Sequence, residues 1–375
     1  MENRKIISDQ KDYVFTPSKR KKIKTALVLT GGGTLQTFFS MGAVACLIDN
    51  GLFEFDLISA ISGGTLLMTF IDLCTNPFFN YASKPNWYNQ YVRKNIYNIA
   101  NSKPIAYFIK SKIDLQKTQN YIFNNIQDFN QDLTSENTNL LCEYNYIDAN
   151  TKTITCDHTD IIDLKNGVKK DYWWAIRPCR CSLPFTIFNN KPTYDAGNVG
   201  NIPVTSLLTR YNPKRLIIIK VYSKLIYDKY PDLTYPDLLK NWLFSNVDTS
   251  EDSLDNMIDL SIKPNPKNIF CSISNSFNQS KDPIHKGLFD NIKLDYDMLL
   301  RLYNGLLYAN EDIMKIIENE GYIQMYHCLK RTKEAKVFKI PNPDVYNKDA
   351  SKKLAEWKTQ NAFFELFKDV VNTKV

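Results

Sequence analysis

Ser62 stands in the segment Ala60-Ile61-Ser62-Gly63-Gly64, directly after the apolar run Phe53 to Ile58. A serine hydroxyl becomes a useful nucleophile only when a base takes its proton and a set of dipoles receives the oxyanion. The small residues around Ser62 suit the sharp strand-to-helix corner that lifts such a serine clear of the sheet, a pattern usually written G-x-S-x-G. Here Ala60 replaces the first glycine and Gly64 keeps the second. A second glycine turn, Thr30-Gly31-Gly32-Gly33, follows the apolar run Thr25 to Leu29 and offers bare backbone N–H groups that can face a developing negative charge. Both segments read as strand, tight turn, helix. Together they describe the nucleophile and electrostatic cradle of an acyl transfer reaction.

Other readings of the same residues stay open. Both turns could be tight corners without chemistry. A phosphate-binding loop would need Gly-Lys-Ser/Thr where the chain continues Thr34-Leu35-Gln36, and a dinucleotide fingerprint would need a glycine at position 36. The three histidines, His158, His285 and His327, have no motif context that suggests a Ser-His-Asp arrangement. Eight cysteines are thinly spread, with no C-x-x-C pair, and read as reduced, buried small hydrophobes. Cys179 and Cys181 form the one close pair, a poor metal site without neighbouring histidines.

The stretch Phe55-Asp56-Leu57-Ile58-Ser59-Ala60-Ile61-Ser62-Gly63-Gly64 resembles the nucleophile segment of patatin-like phospholipases. Gly31-Gly32-Gly33 resembles their glycine-rich oxyanion loop, and Tyr194-Asp195-Ala196-Gly197 with Asn201 and Pro203 resembles their aspartate segment. Arg180-Cys181-Ser182-Leu183-Pro184-Phe185 is similar to a stretch that precedes it. The resemblance runs from residue 24 to about 204, more weakly to about Lys330, where Asn319-Glu320-Gly321-Tyr322 sits at a family-like helix junction. It implies a dyad, with Ser62 as nucleophile and Asp195 as its direct base, and an oxyanion hole from the N–H groups of Gly31, Gly32, Gly33 and Gly63. It also implies a lipid acyl hydrolase that degrades phospholipids or lysophospholipids through an acyl-enzyme, without a metal or an organic cofactor. The alternative is a catalytically silent lipid-binding or scaffolding protein of the same fold. Leu35 departs from the family, which commonly carries Arg or Lys there, and Gln36 stands where glycine is common; this weakens phosphate recognition relative to general acyl-ester hydrolysis. Gly42, nine residues after Gly33, gives a spacing similar to group-IV cytosolic phospholipases.

The elements that must position these residues follow from the apolar pattern. Strands alternating with helices, and nearly continuous apolar runs in the early strands, predict an α/β fold with a mixed, largely parallel sheet flanked by helices, and helical C-terminal additions. A basic leader over 1–22, an acyl hydrolase domain over 23–330 and a helical extension over 331–375 are expected, with the fold starting at Ile23. The first turn opens a helix stopped by Asn50-Gly51; a strand covers 53–61; the next helix ends at Asn76-Pro77. The runs Asn139 to Tyr146 and Thr151 to Cys156 read as a hairpin, Trp173 to Arg177 as helix, Thr193-Tyr194 as extended and Arg215 to Val221 as a buried strand. After Tyr235 the pattern reads as mostly helical.

The formal charge of +7 is concentrated at the N-terminus. Residues 1–24 hold eight Lys/Arg against three acids, so the rest of the chain is nearly neutral, which argues against a nucleic-acid partner. The run Lys19-Arg20-Lys21-Lys22 suits anionic lipid, a nuclear address or plain solvation. Aromatic stripes with lysines at Lys103 to Lys112 and Lys352 to Val371 read either as core contact or as peripheral membrane contact. No apolar stretch reaches the roughly 20 residues of a membrane span, and no secretory leader is visible, so a cytoplasmic address is the expectation.

Overall fold

A parallel sheet needs strands that can be buried on both faces, and β1 (Lys21–Leu29), β2 (Leu57–Ile61) and β7 (Tyr211–Lys220) each contain such an apolar run. The computed structural model describes residues 21–75, 81–103, 140–148, 153–158, 186–188, 191–196, 203–221, 265–273 and 311–346, with a few isolated positions between them. β3 (Leu141–Asp148) and β8 (Ile269–Ser272) complete five parallel strands in the order β3-β2-β1-β7-β8. β4 (Thr153–His158), β5 (Thr186–Phe188) and β6 (Lys191–Asp195) join antiparallel at the β3 end, so the sheet is mixed and largely parallel.

Helices α1 (Gly33–Asp49), α2 (Gly63–Thr75), α3 (Lys94–Asn101), α4 (Val204–Arg210) and α5 (Glu311–Arg331) flank the sheet. Alternation along β1 divides the core between the two faces. Leu27 and Leu29 pack with α1, α2 and α5, whereas Ala26 and Val28 pack with Val204 and Leu207 of α4. Every residue of α1 from Gly33 to Leu47 is buried, so this helix is the centre of the larger core. α5 crosses it at very close range. A Cβ on Gly42 would lie 1.7 Å from the Glu318 carbonyl oxygen, and one on Gly321 would lie 1.9 Å from that of Phe39.

The crossing buries polar groups that must find partners. The fully buried Glu318 carboxylate is held by Arg93 Nε and Nη2, by the Tyr97 hydroxyl at 2.9 Å and by Asn342 Nδ2 at 2.6 Å. Burial first, and the adjacent Glu318 charge next, push the Tyr97 phenol well above its usual range, so it remains a donor. Beyond α5 the chain runs back over α1, where Asn50 Oδ1 accepts from the N–H groups of Lys336 and Val337.

Several expectations are met closely. Asn50 caps α1 and Gly51 follows at φ +70°, α2 ends at Thr75, and β3 and β4 form the hairpin, with Asn150 N–H donating to Asp148 Oδ1 at 2.8 Å. The six described cysteines are buried.

Three expectations are corrected. β1 starts at Lys21 rather than Ile23, because pairing with β7 continues through Lys21↔Tyr211 and Lys22↔Asn212 although both lysine side chains are exposed. β2 is confined to Leu57–Ile61, so residues 53–55 lead into it and Asp56 bonds the Thr25 carbonyl and the Leu141 N–H at its edge. β8 falls in the region that reads as helical; its four residues are too few to show a strand period, and parallel pairing to β7 makes them a strand. Residues 1–20, Trp173 to Arg177, and Lys352 to Val371 lie outside the described residues.

Candidate active site

Ser62 sits between the end of β2 and the start of α2 with φ +49°, a conformation that costs a non-glycine residue about 1–3 kcal/mol and persists only when the surroundings enforce it. Gly63 and Gly64 explain how the corner fits. A Cβ on Gly63 would lie 2.3 Å from the Gly33 carbonyl oxygen, and one on Gly64 would lie 2.7 Å from that of Thr30. The two glycine turns therefore touch backbone to backbone. Thr37 spans them, with Oγ1 2.7 Å from the Gly63 carbonyl oxygen and 3.1 Å from that of Gly33. Thr65 N–H donates to the Ser62 carbonyl at 2.9 Å and closes the first turn of α2.

The facing turn is built from unusual backbone. Gly32 has φ +137° and Gly33 φ +53°, so only glycine is comfortable at these two positions. Gly31 is not in the left-handed region, and its carbonyl accepts from Thr30 Oγ1. Gly33 and Gly63 each open a helix, where the first N–H groups lack intrahelical acceptors and the helix dipole favours negative charge. Gln36 anchors the turn from within: its Oε1 accepts from Thr30 Oγ1 at 2.9 Å, and its Nε2 donates to the Ile219 carbonyl of β7 at 3.0 Å.

The register of β3 brings Asp195 to this corner. β3 pairs with β4 over Glu143–Asp148, so its other partners share the opposite edge. β2 occupies that edge as far as Ile61↔Asn145, and β6 continues it from Asp195↔Tyr146. An antiparallel strand thus ends where β2 ends, and the last residue of one meets the first residue beyond the other. Ser62 Oγ donates to Asp195 Oδ2 at 2.7 Å. Both side chains are buried, at 7% and 4% exposure, in a setting where charge interactions are stronger than in water.

Buried polar groups brace this arrangement. Asn145 Nδ2 donates to Ser59 Oγ at 3.0 Å and to the Ala60 carbonyl at 2.9 Å, which fixes the last turnings of β2 before the corner. Tyr144 donates to Asp72 Oδ2 at 3.0 Å, tying β3 to α2.

The structure therefore brings together Ser62, Asp195, Gly31, Gly32, Gly33 and Gly63. His327 is buried on α5, His158 lies on β4, and His285 is outside the described residues. Leu35 is fully buried in the main core beneath the glycine turn, and does not face an open site. Asn145 and Thr37 go unnoticed in the sequence. An asparagine inside an apolar strand and a threonine four residues after a turn glycine are the available signals, and both are common in roles without function. Among the described residues no group of three or more His, Cys, Asp or Glu is placed to hold a metal ion, and no helix is long and apolar enough to cross a membrane.

Comparison with known proteins adds no family. No protein-family model matches the chain, and no curated protein matches it.

Proposed function

We propose that this chain is a serine acyl hydrolase of the patatin-like kind, which cleaves fatty acyl esters of phospholipids or lysophospholipids through an acyl-Ser62 intermediate. The observation that carries the reading is the 2.7 Å hydrogen bond from Ser62 Oγ to Asp195 Oδ2, made by a serine held at positive φ against two glycine turns. A purely structural serine has no need of that backbone cost.

Asp195 takes the Ser62 proton as Oγ bonds to the acyl carbonyl carbon. The resulting oxyanion is received by backbone N–H groups among Gly31, Gly32, Gly33 and Gly63, fixed dipoles that need no reorganisation as the charge develops. Collapse breaks the carbonyl carbon–alkoxy bond, and Asp195 returns the proton to the leaving alcohol. Water, deprotonated by Asp195, then attacks the acyl-Ser62 ester and releases the fatty acid, so the second half repeats the first. An aspartate with a reference pKa of about 3.9 is a weak base, and its match to serine must improve as the transition state forms.

Leu35 bears on the substrate. Because it is core, the turn offers no cation at that position, and the reading favours acyl-ester chemistry over strong selection for a phosphate headgroup.

A fluorophosphonate probe on the full chain, followed by peptide mapping and by fatty acid release from mixed phospholipid and neutral ester vesicles, tests the proposal. Labelling at Ser62, lost in Asp195→Asn, is the expected result. A folded protein that stays unlabelled and releases no fatty acid is the silent scaffold instead.

A further inference from the structure

A second site stands at the opposite end of the sheet. α1 and α2 both begin at the glycine turns and both end beside a cavity of about 370 Å³ lined by Ile48, Phe53, Glu54, Phe55, Thr75 and Trp87 among others. α1 has 17 residues, so the cavity lies roughly 25 Å from Ser62 at 1.5 Å per residue. Its size is at the lower end of small-molecule sites, which span about 300–1,000 Å³.

Three features give it one chemical preference. The rings of Phe53, Phe55 and Trp87 meet at steep angles: Phe53–Phe55 centroids are 5.1 Å apart at 88°, and Phe53–Trp87 centroids 5.6 Å apart at 60°. Rings at these separations pack edge to face, and together they form one aromatic wall of the cavity. Glu54, between the two phenylalanines, is exposed and has no cationic partner among the described residues. The C-terminal ends of α1 and α2 point their negative dipole ends here, and neither helix carries a basic residue in its last turn. The neighbouring pair Tyr81 and Tyr91 already receives the Lys84 ammonium, at 4.4 and 5.4 Å from the ring centroids, whereas no cation of the described chain lies over Phe53, Phe55 or Trp87.

We propose that this cavity binds a trimethylammonium cation, seated among Phe53, Phe55 and Trp87 and balanced by Glu54 and the two helix C-termini. Aromatic faces attract such an ion electrostatically, and its methyl groups match an apolar lining that a small hydrated cation would not enter readily. The group could come from free choline or from a phosphocholine headgroup. The site is separate from the Ser62 corner and does not rest on the acyl hydrolase reading.

Calorimetric titration of the full chain tests it, with tetramethylammonium, choline, phosphocholine and the neutral isostere of choline that carries a tert-butyl group. Saturable binding of the first two is expected, with the isostere about tenfold weaker. Glu54→Gln and Trp87→Leu should each weaken choline about tenfold while Ser62→Ala leaves it unchanged, and Trp87→Phe should restore part of the loss. Phosphocholine binding as tightly as choline assigns the headgroup as the source; weaker binding, through repulsion of its phosphate by Glu54, assigns the free amine. The proposal is overturned if the isostere binds as well as choline, if no ammonium ligand saturates by about 10 mM, or if Glu54→Gln and Trp87→Leu, with melting temperatures like wild type, bind choline normally.

Discussion

Two pairs of glycines among the described residues bring backbones into contact, and they do opposite things. At Gly63 and Gly64 the absent side chains let two turns touch, and the neighbouring Ser62 is left at φ +49° with its hydroxyl on Asp195. At Gly42 and Gly321 the same device lets α1 and α5 cross, yet the backbone there is helical and makes ordinary helical hydrogen bonds. One close approach sits where two helices start and holds Ser62 in a strained backbone; the other only tightens packing. A glycine contact in a turn at a helix start, where the first N–H groups lack intrahelical acceptors, is the kind that can serve chemistry.

The largest effect expected from breaking the first region is on turnover. Ser62→Ala and Asp195→Asn should each reduce acyl-ester hydrolysis by at least about 10³-fold, and the double variant should be no worse, because groups that act as one unit are not additive. Steady-state kinetics on the three purified variants measures this. Additive losses would mean that Asp195 does not act through Ser62.

That first region was largely legible in the sequence, because its parts are contiguous: an apolar run, a glycine turn and a helix recur at Thr25–Gly33 and Phe53–Gly64. Asp195 came only through the resemblance. Its position follows from β6 taking over the edge of β3 where β2 stops, a register that no local pattern encodes. The second region was nearly illegible. Gly42 and Gly321 are isolated in their helices, and the partner that makes each of them necessary is far along the chain. β8 was missed for the same reason, since its four residues become a strand only through pairing with β7.

Breaking the second region should cost stability and spare chemistry. Gly321→Ala places a methyl 1.9 Å from the Phe39 carbonyl oxygen, backbone that cannot rotate away, so α5 must shift. Overpacking of this kind costs typically about 1–3 kcal/mol and occasionally more, against a modest helix-propensity gain of up to about 1 kcal/mol. A lowered melting temperature with kcat of the folded protein near wild type is the expected outcome. A stable variant with impaired kcat would instead join the helix crossing to the candidate site at Ser62.

Leu35→Arg lies between the two regions, on the first turn of α1 but inside the core that α5 helps to close. A guanidinium there is an unpaired buried charge, and a loss of several kcal/mol is expected. Thermal melts alongside headgroup preference separate the possibilities: a fold that tolerates arginine and gains preference for phospholipid would show that Leu35 reaches the substrate.

The smallest effect sharpens the contrast most. If Ser62 is strained for the sake of its hydroxyl, then Ser62→Gly should relieve the positive φ while abolishing hydrolysis. The gain competes with the lost hydrogen bond to Asp195, worth about 1.5–3 kcal/mol for a charged acceptor, and with the greater freedom of glycine in the unfolded chain. Ser62→Ala carries the same hydrogen-bond loss without relieving the backbone, so the informative quantity is the difference between the two variants. Glycine should be more stable than alanine by about 1 kcal/mol, whereas at a helix position of ordinary φ it would be less stable by about the same amount. Denaturant midpoints of the two proteins decide the sign. Alanine more stable than glycine would mean that the corner is not strained, and the backbone cost could no longer count toward a catalytic role for Ser62.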